Sequence, residues 1–405
     1  MSLNDTVSAE RTHIGFFGMR NVGKSSVVNA VTGQELSIVS DVKGTTTDPV
    51  KKAMEILPIG PVLIIDTPGL DDEGTLGEMR VKKTRDILKR TDIAVLVANA
   101  QTGLCNEDRE LIEIFKENKI PYLLVFNKSD LVSKHKPPLE NEIYVSALKS
   151  ENIYELKEKL ASFAKSAANN KTILGDLINE NDLIVLVVPV DEAAPKGRLI
   201  LPQQQTIREI LDFHSTAVVC QDTELKETLE ALSRKPKMVI TDSQAFGRVS
   251  KIVPDDIWLT SFSILFARYK GSLKVLTEGA AVIKDLKDGD RVLVSEGCTH
   301  HRQCGDIGSV KIPAWIKKFT GAEPQFEFSS GNTFSDDLKK YKLVIHCGGC
   351  TLNEREMKSR IGAARVAGVP IVNYGIAIAY MHGILHRALE PFPEILKIIE
   401  DTTKE

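Results

Sequence analysis

Five short segments in the first 150 or so residues carry the residue types that hold a nucleoside triphosphate. Gly18-Met19-Arg20-Asn21-Val22-Gly23-Lys24-Ser25 reads as Gly, four residues, then Gly-Lys-Ser. This is the P-loop pattern, in which glycines let backbone amides turn inward on phosphate oxygens. The loop amides run through Asn21, Val22, Gly23, Lys24, Ser25 and Ser26, the Lys24 ammonium reaches the β and γ phosphates, and the Ser25 hydroxyl suits Mg²⁺. Asp66-Thr67-Pro68-Gly69 offers a carboxylate to Mg²⁺ through water and the Gly69 amide to the γ phosphate. Gly44-Thr45-Thr46-Thr47-Asp48 lies where a segment covering the γ phosphate belongs, with Thr46 as the expected Mg²⁺ ligand and Thr45 as the fallback. In Asn127-Lys128-Ser129-Asp130, the Asp130 carboxylate can accept from both N1–H and the 2-amino group of guanine, whereas adenine offers neither donor. Ser146-Ala147 would close over the base. A site built on such bonds rejects an analogue lacking the donors by about 10⁴ to 10⁵. The expected ligand is therefore GTP with Mg²⁺, and the expected reaction its hydrolysis, with Lys24, Thr46, Asp66, Gly69 and Asn21 nearest the reacting phosphate.

A second group with chemistry lies late in the chain. Four of the six cysteines, Cys298, Cys304, Cys347 and Cys350, fall in one segment. Cys298-Thr299-His300 and His346-Cys347-Gly348-Gly349-Cys350 are separated by the 45 residues from His301 to Ile345. Each group follows an expected strand, so neighbouring strand ends could gather three thiolates, and Gly348-Gly349 lets both later sulfurs face one ion. Three readings fit: a 4Fe-4S cluster on three thiolates with a replaceable fourth ligand, a structural zinc of Cys3His type, and unliganded thiols. Structural zinc favours Cys-x-x-Cys at both ends, whereas one end here is Cys-x-His. The candidates for a fourth ligand are His300, His346 and Glu296, and Cys304 is an alternative ligand. Cys105 and Cys220 read as structural thiols.

These residues need a scaffold, and the apolar pattern supplies one. Strand-forming runs at Ile14 to Phe17, Val62 to Ile65, Ile93 to Ala98, Pro121 to Phe126 and Ile143 to Val145 alternate with helical stretches. That rhythm predicts an α/β fold with a mainly parallel sheet covered on both faces. A helix from Ile153 to about Ala168 and the polar Asn169-Asn170-Lys171 place the first boundary, giving a P-loop domain over 1–168. A second α/β unit over 172–269 has expected strands at Leu183 to Pro189, Ala217 to Cys220 and Met238 to Thr241. Its run Ile257 to Phe266 holds more large apolar residues than one small unit readily buries, which suggests either self-association or core packing. A third unit over 271–405 has expected strands at Arg291 to Ser295, Leu343 to Ile345 and Val369 to Asn373, and a helix from Asn353 to Val366. The length of 405 residues suits two or three domains.

Composition narrows the class. An apolar fraction of 42% and a charged fraction of 26% are those of a soluble globular chain. No run approaches the roughly 18 apolar residues that span a bilayer, and the polar start lacks a secretory core, so a cytoplasmic protein with no membrane association is expected. A net charge of −3 gives no general field for nucleic acid, which is not an expected partner. In the cytosol six cysteines do not form a disulfide framework, which leaves the late four for a site.

On the nucleotide motifs, residues from about 10 to 168 resemble the Era and TrmE branch of GTPases. Leu70 stands where Ras-like proteins carry a water-positioning Gln, so intrinsic hydrolysis should be slow. In that branch a P-loop Asn binds K⁺, which supplies the positive charge otherwise given by an arginine finger. Asn21 stands at the matching place and implies potassium-stimulated hydrolysis; the other reading makes it a turn residue only. The complete chain resembles the HydF family, the GTPase maturation factors of iron-iron hydrogenase. The family pattern of Cys-x-His, a spacer and His-Cys-x-x-Cys is met by Cys298, His300, His346, Cys347 and Cys350, with Cys304 outside it. The resemblance implies a Ras-like P-loop GTPase domain, a dimerisation domain forming a homodimer, and an iron-sulfur cluster-binding domain holding a 4Fe-4S cluster on Cys298, Cys347 and Cys350. It further implies a scaffold or carrier that delivers a diiron precursor, with the hydrogenase apoprotein and radical-SAM maturases as partners. The competing function is a regulatory GTPase with a structural zinc domain acting on ribosome or tRNA, which basic stripes with interleaved aromatics would favour and none of note supports.

Overall fold

The computed structural model describes residues 8–34, 50–67, 84–134, 136–167, 171–189, 199–297, 306–331, 333–335 and 337–402. They divide into two compact units, Met1–Asn170 and Lys171–Glu405.

The first unit is built on six strands: β1 (Thr12–Phe17), β2 (Val50–Ile56), β3 (Gly60–Asp66), β4 (Ile93–Asn99), β5 (Tyr122–Asn127) and β6 (Glu142–Tyr144). Their order is β2-β3-β1-β4-β5-β6, parallel throughout except for the β2–β3 pair. The inner strands are buried on both faces, as a parallel sheet requires. Alternation then splits their side chains: Ile14, Phe16, Val95, Val97, Leu123 and Val125 meet the helices Lys24–Thr32 and Ile153–Ala167. Phe17, Ala94, Leu96, Leu124 and Phe126 meet Leu111, Ile112 and Phe115 of the helix Asn106–Glu117 on the other side. The expected doubly covered sheet is present. The antiparallel edge strand β2 was not expected, because Lys51, Lys52 and Glu55 are exposed and break the apolar pattern; charge on an edge discourages pairing with another chain.

The second unit holds two four-stranded parallel sheets. One has the order β10-β9-β7-β8, from β7 (Leu183–Val187), β8 (Thr216–Cys220), β9 (Met238–Thr241) and β10 (Trp258–Ser261). The other has the order β12-β11-β13-β14, from β11 (Arg291–Ser295), β12 (Gln325–Ser329), β13 (Leu343–His346) and β14 (Ile371–Asn373). A single hydrophobic cluster from Ile173 to Phe392 runs through both. This accounts for the apolar run Ile257 to Phe266. It divides into β10 and the helix Phe262–Lys270, with the Ser261 hydroxyl capping Ile264 N, and Ile257, Leu259, Phe262, Ile264, Leu265 and Phe266 are all buried in this core. The run is therefore interior within one chain, which is the core-packing reading of the two. Among the described residues, no helix is long and apolar enough to cross a membrane.

Candidate functional site

At the end of β1 the chain turns at Gly18, φ 146°, where a Cβ would run into the Val97 carbonyl. Asn21 (φ 59°) and Gly23 (φ 87°) are left-handed, and Gly23 leads into the helix Lys24–Thr32. A side chain at Gly23 would also strike the Asn127 amide, so both the backbone angle and the available space call for glycine. Lys24 is buried, and its ammonium pairs with the Asp66 carboxylate at the end of β3. That contact follows from strand order, since β3 lies beside β1 with Phe16 opposite Asp66. Thr67 Oγ1 donates to the Phe16 carbonyl at 2.7 Å and ties the same strand ends together. Ser25 is half-buried and Ser26 exposed on the first helical turn.

The base-side motif is joined to this loop by the Asn127 amide and the Lys128 ammonium. Asn127 Nδ2 donates to the Val22 carbonyl at 3.0 Å, and its Oδ1 accepts from Ala147 N at 3.0 Å. Lys128, itself left-handed at φ 63°, donates from Nζ to the Asn21 carbonyl at 2.7 Å. Ser146 is buried and its Oγ accepts from Lys149 N at 3.2 Å. Asp130 lies in the 3-10 turn Ser129–Leu131, anchored by Ser129 N donating to the Val145 carbonyl at 3.1 Å. The structure thus gathers Asn21, Val22, Gly23, Lys24, Asp66, Asn127, Lys128 and Ala147 at the carboxyl ends of parallel strands, where ligands of open α/β sheets bind. Thr45, Thr46, Gly69 and Leu70 lie outside the described residues.

In the second unit, β11 and β13 are neighbours with Ser295 opposite His346. Beyond them, Cys347 N donates to the Ser295 carbonyl at 2.9 Å, and Gly297 N donates to Cys347 Sγ at 3.0 Å, with Gly349 N 3.4 Å from the same sulfur. Gly349 is left-handed at φ 62°, and a Cβ there would crowd the Met357 sulfur. Cys347 and Cys350 are half-buried. Glu296 is buried, with Oε1 accepting from the Tyr374 hydroxyl at 3.3 Å. His346 is fully buried, Nδ1 lying 2.7 Å from the Cys347 carbonyl and Nε2 lying 3.0 Å from Arg360 Nη1. Because Arg only donates, Nε2 must accept and Nδ1–H must donate. Burial, followed by the Arg360 charge, pushes the ring pKa down to about 3. Arg360 Nη2 also donates to the Gly331 carbonyl at 2.7 Å and to Glu356 Oε1 at 2.9 Å.

Cys298, His300 and Cys304 lie outside the described residues, and among the described residues no three His, Cys, Asp or Glu side chains gather as a metal site. The donors that are placed nevertheless fit a thiolate-bound metal. Two soft sulfurs share one turn, amide hydrogens point at one of them, and Gly297, directly before Cys298, is among the donors.

Residues 173–271 match the family model of the hydrogen maturase F dimerization domain, and residues 274–391 match that of its tetramerization domain. The chain belongs to the hydrogen maturase F family. Ahead of those two HydF domains, residues 13–128 match the model described as 50S ribosome-binding GTPase, so the family's three-domain α/β layout is present with a Ras-like GTPase domain first. That domain is similar to the tRNA modification GTPase MnmE of Nitrosomonas europaea, 37% identical over 158 residues, 38% of this chain and 34% of that protein. It is also similar to the GTPase Der of Kosmotoga olearia, 34% identical over 166 residues, 36% of this chain and 37% of that protein. The chain spans about a third of the length of these curated relatives. Among solved structures, Era of Aquifex aeolicus bound to GDP·AlF4⁻ aligns at 17% identity and a TM-score of 0.34, over 79% of this chain and 92% of that one. Two residues that hold the cysteine turn of this HydF-family chain, Arg360 and Lys270, carry no local sequence signal. Both act through contacts made only once the sheets are folded; the i,i+4 spacing of Glu356 and Arg360 is the one hint.

Proposed function

We propose that this chain is a GTP-hydrolysing maturation factor for iron-iron hydrogenase that carries an iron-sulfur centre on its cysteine turn and passes a diiron precursor to the hydrogenase apoprotein. The observation that carries the reading is the Gly297 N–H donated to Cys347 Sγ at 3.0 Å, in a chain whose HydF domains follow a GTPase domain. It brings the residue preceding Cys298 against the Cys-x-x-Cys turn, so Cys298, Cys347 and Cys350 can share one centre. A 4Fe-4S cluster there would supply an anionic iron-sulfur platform with one exchangeable position. His346 has both ring nitrogens engaged, which leaves Glu296 and His300 as the better candidates at that position.

In the first domain, Lys24 neutralises the β and γ phosphates, Asp130 reads guanine, and Asn127 ties the phosphate loop to the base side. Ser25 and Thr46, with Thr45 as the fallback and Asp66 acting through water, would hold Mg²⁺, which neutralises phosphate charge. Asn21 would hold K⁺. With Leu70 in place of a water-positioning residue, hydrolysis is slow and potassium-stimulated; equal rates in sodium and potassium, with no effect of Asn21→Ala, would refute this part. The chain self-associates through the two domains whose family models bear the names dimerization and tetramerization. Among the described residues β8 is an edge strand of its sheet, with Thr216 and Val219 exposed, and it offers an edge for that purpose. The chain works in the cytoplasm, with radical-SAM maturases as further partners. The test is transfer: the full chain, matured anaerobically with those maturases, activates hydrogenase apoprotein, and Cys347→Ser does not. Activation by the Cys347→Ser chain at the parental level would reject the reading.

A further inference from the structure

The helix Phe262–Lys270 belongs to the sheet of β7–β10, yet both of its ends are fastened to the cysteine-bearing half of the unit. At its start, the Ser263 carbonyl accepts from Asn373 Nδ2 at 3.0 Å. At its end, Lys270 is 4% exposed, and its ammonium donates to the carbonyls of Leu352 at 3.0 Å and Cys350 at 3.3 Å. The junction is tight, since a Cβ at Gly271 would lie 3.1 Å from Ile361 Cδ1 of the helix Glu354–Val366. A buried cation carries a desolvation penalty unless its surroundings offset it. Two backbone carbonyls and the Phe266 ring, 5.8 Å away, are among the groups that surround this one. A centre on three thiolates is itself anionic, and it would sit on the turn whose carbonyl Lys270 already holds.

We propose that Lys270 is a positioning residue for the metal centre: it pins the Cys350 peptide and supplies the buried positive charge that balances thiolate-bound iron, linking the dimerization domain to the centre. The proposal rests on the iron-sulfur reading above. A nearby cation stabilises the more negative, reduced form of such a centre, so removing it lowers the reduction potential. The experiment compares the anaerobically reconstituted full chain with Lys270→Met, which loses charge and donors, Lys270→Gln, which keeps donors without charge, and Lys270→Arg, which keeps both. Iron per chain, elution volume and an EPR-monitored redox titration are read for each. The expected result is a midpoint potential shifted negative in Lys270→Met and Lys270→Gln and held near the parent in Lys270→Arg, with Lys270→Met also losing iron to a chelator fastest. Parental potentials in both neutral variants, or an equal shift in Lys270→Arg, would overturn the proposal. If Lys270→Met does not fold, Lys270→Gln decides. A parent chain that takes up no iron would fail the underlying reading instead, which keeps the two failures distinct.

Discussion

Replacing Asp130 by Asn puts an amide donor where guanine presents its own 2-amino hydrogen. GTP affinity should then fall by at least about 100-fold, while xanthosine triphosphate, which carries a 2-oxo acceptor, gains; competition of labelled GTP against both nucleotides measures the exchange. Cys105 is a different kind of residue. Its Sγ caps the helix Asn106–Glu117 by accepting from Asp108 N and donates 3.1 Å to Asp108 Oδ2. Burial raises its pKa to about 11, with the neighbouring carboxylates adding to the rise. The thiolate fraction at Cys105 should therefore be negligible at neutral pH, and its alkylation rate should keep climbing between pH 9 and 11. Peptide-resolved iodoacetamide labelling across that range checks it; a rate level from about pH 10 would show a thiol of ordinary acidity.

Two turns decide whether the elements present their residues correctly. Asn127 is the only side chain among those described here that bonds both the P-loop and the Ala147 amide, so Asn127→Ala leaves Ala147 N and the Val22 carbonyl without it. The first domain should lose about 1–3 kcal/mol of stability, and GTP affinity should fall with it, read by denaturant unfolding and by nucleotide titration. At the cysteine turn, Arg360→Met strips the partner from buried His346 and from Glu356. A cost of about 3–5 kcal/mol to the second unit is expected, far more than from truncating exposed Arg208. At this scale the sequence is legible where the signal is local. Four of the nucleotide motifs each end an apolar run, so β1, β3, β5 and the segment after β6 could be read directly. β10 could not, because a continuous apolar run has no period to divide strand from helix, and the tertiary core made the division at Ser261. Lys270 and Arg360 were unreadable because their partners lie 80 and 14 residues away and are set by sheet order.

Across the whole molecule, the two ends of the chain carry different chemistries on separately packed units, a guanine-nucleotide cleft in the first and a thiol turn in the second. The pattern Cys-x-His with His-Cys-x-x-Cys marked the second site, and the pairing of β11 with β13 explains why residues 50 apart meet there. The shared core of the second unit was not legible, since the boundary between its two sheets contains no polar linker to signal it or to separate them. The central claim is that the full chain holds iron on Cys298, Cys347 and Cys350. Purifying it anaerobically and measuring iron, acid-labile sulfide and zinc beside the visible spectrum tests this directly. The account predicts a brown protein with about four irons and four sulfides per chain, lost in Cys347→Ser; a colourless protein loaded with zinc and free of sulfide would contradict it.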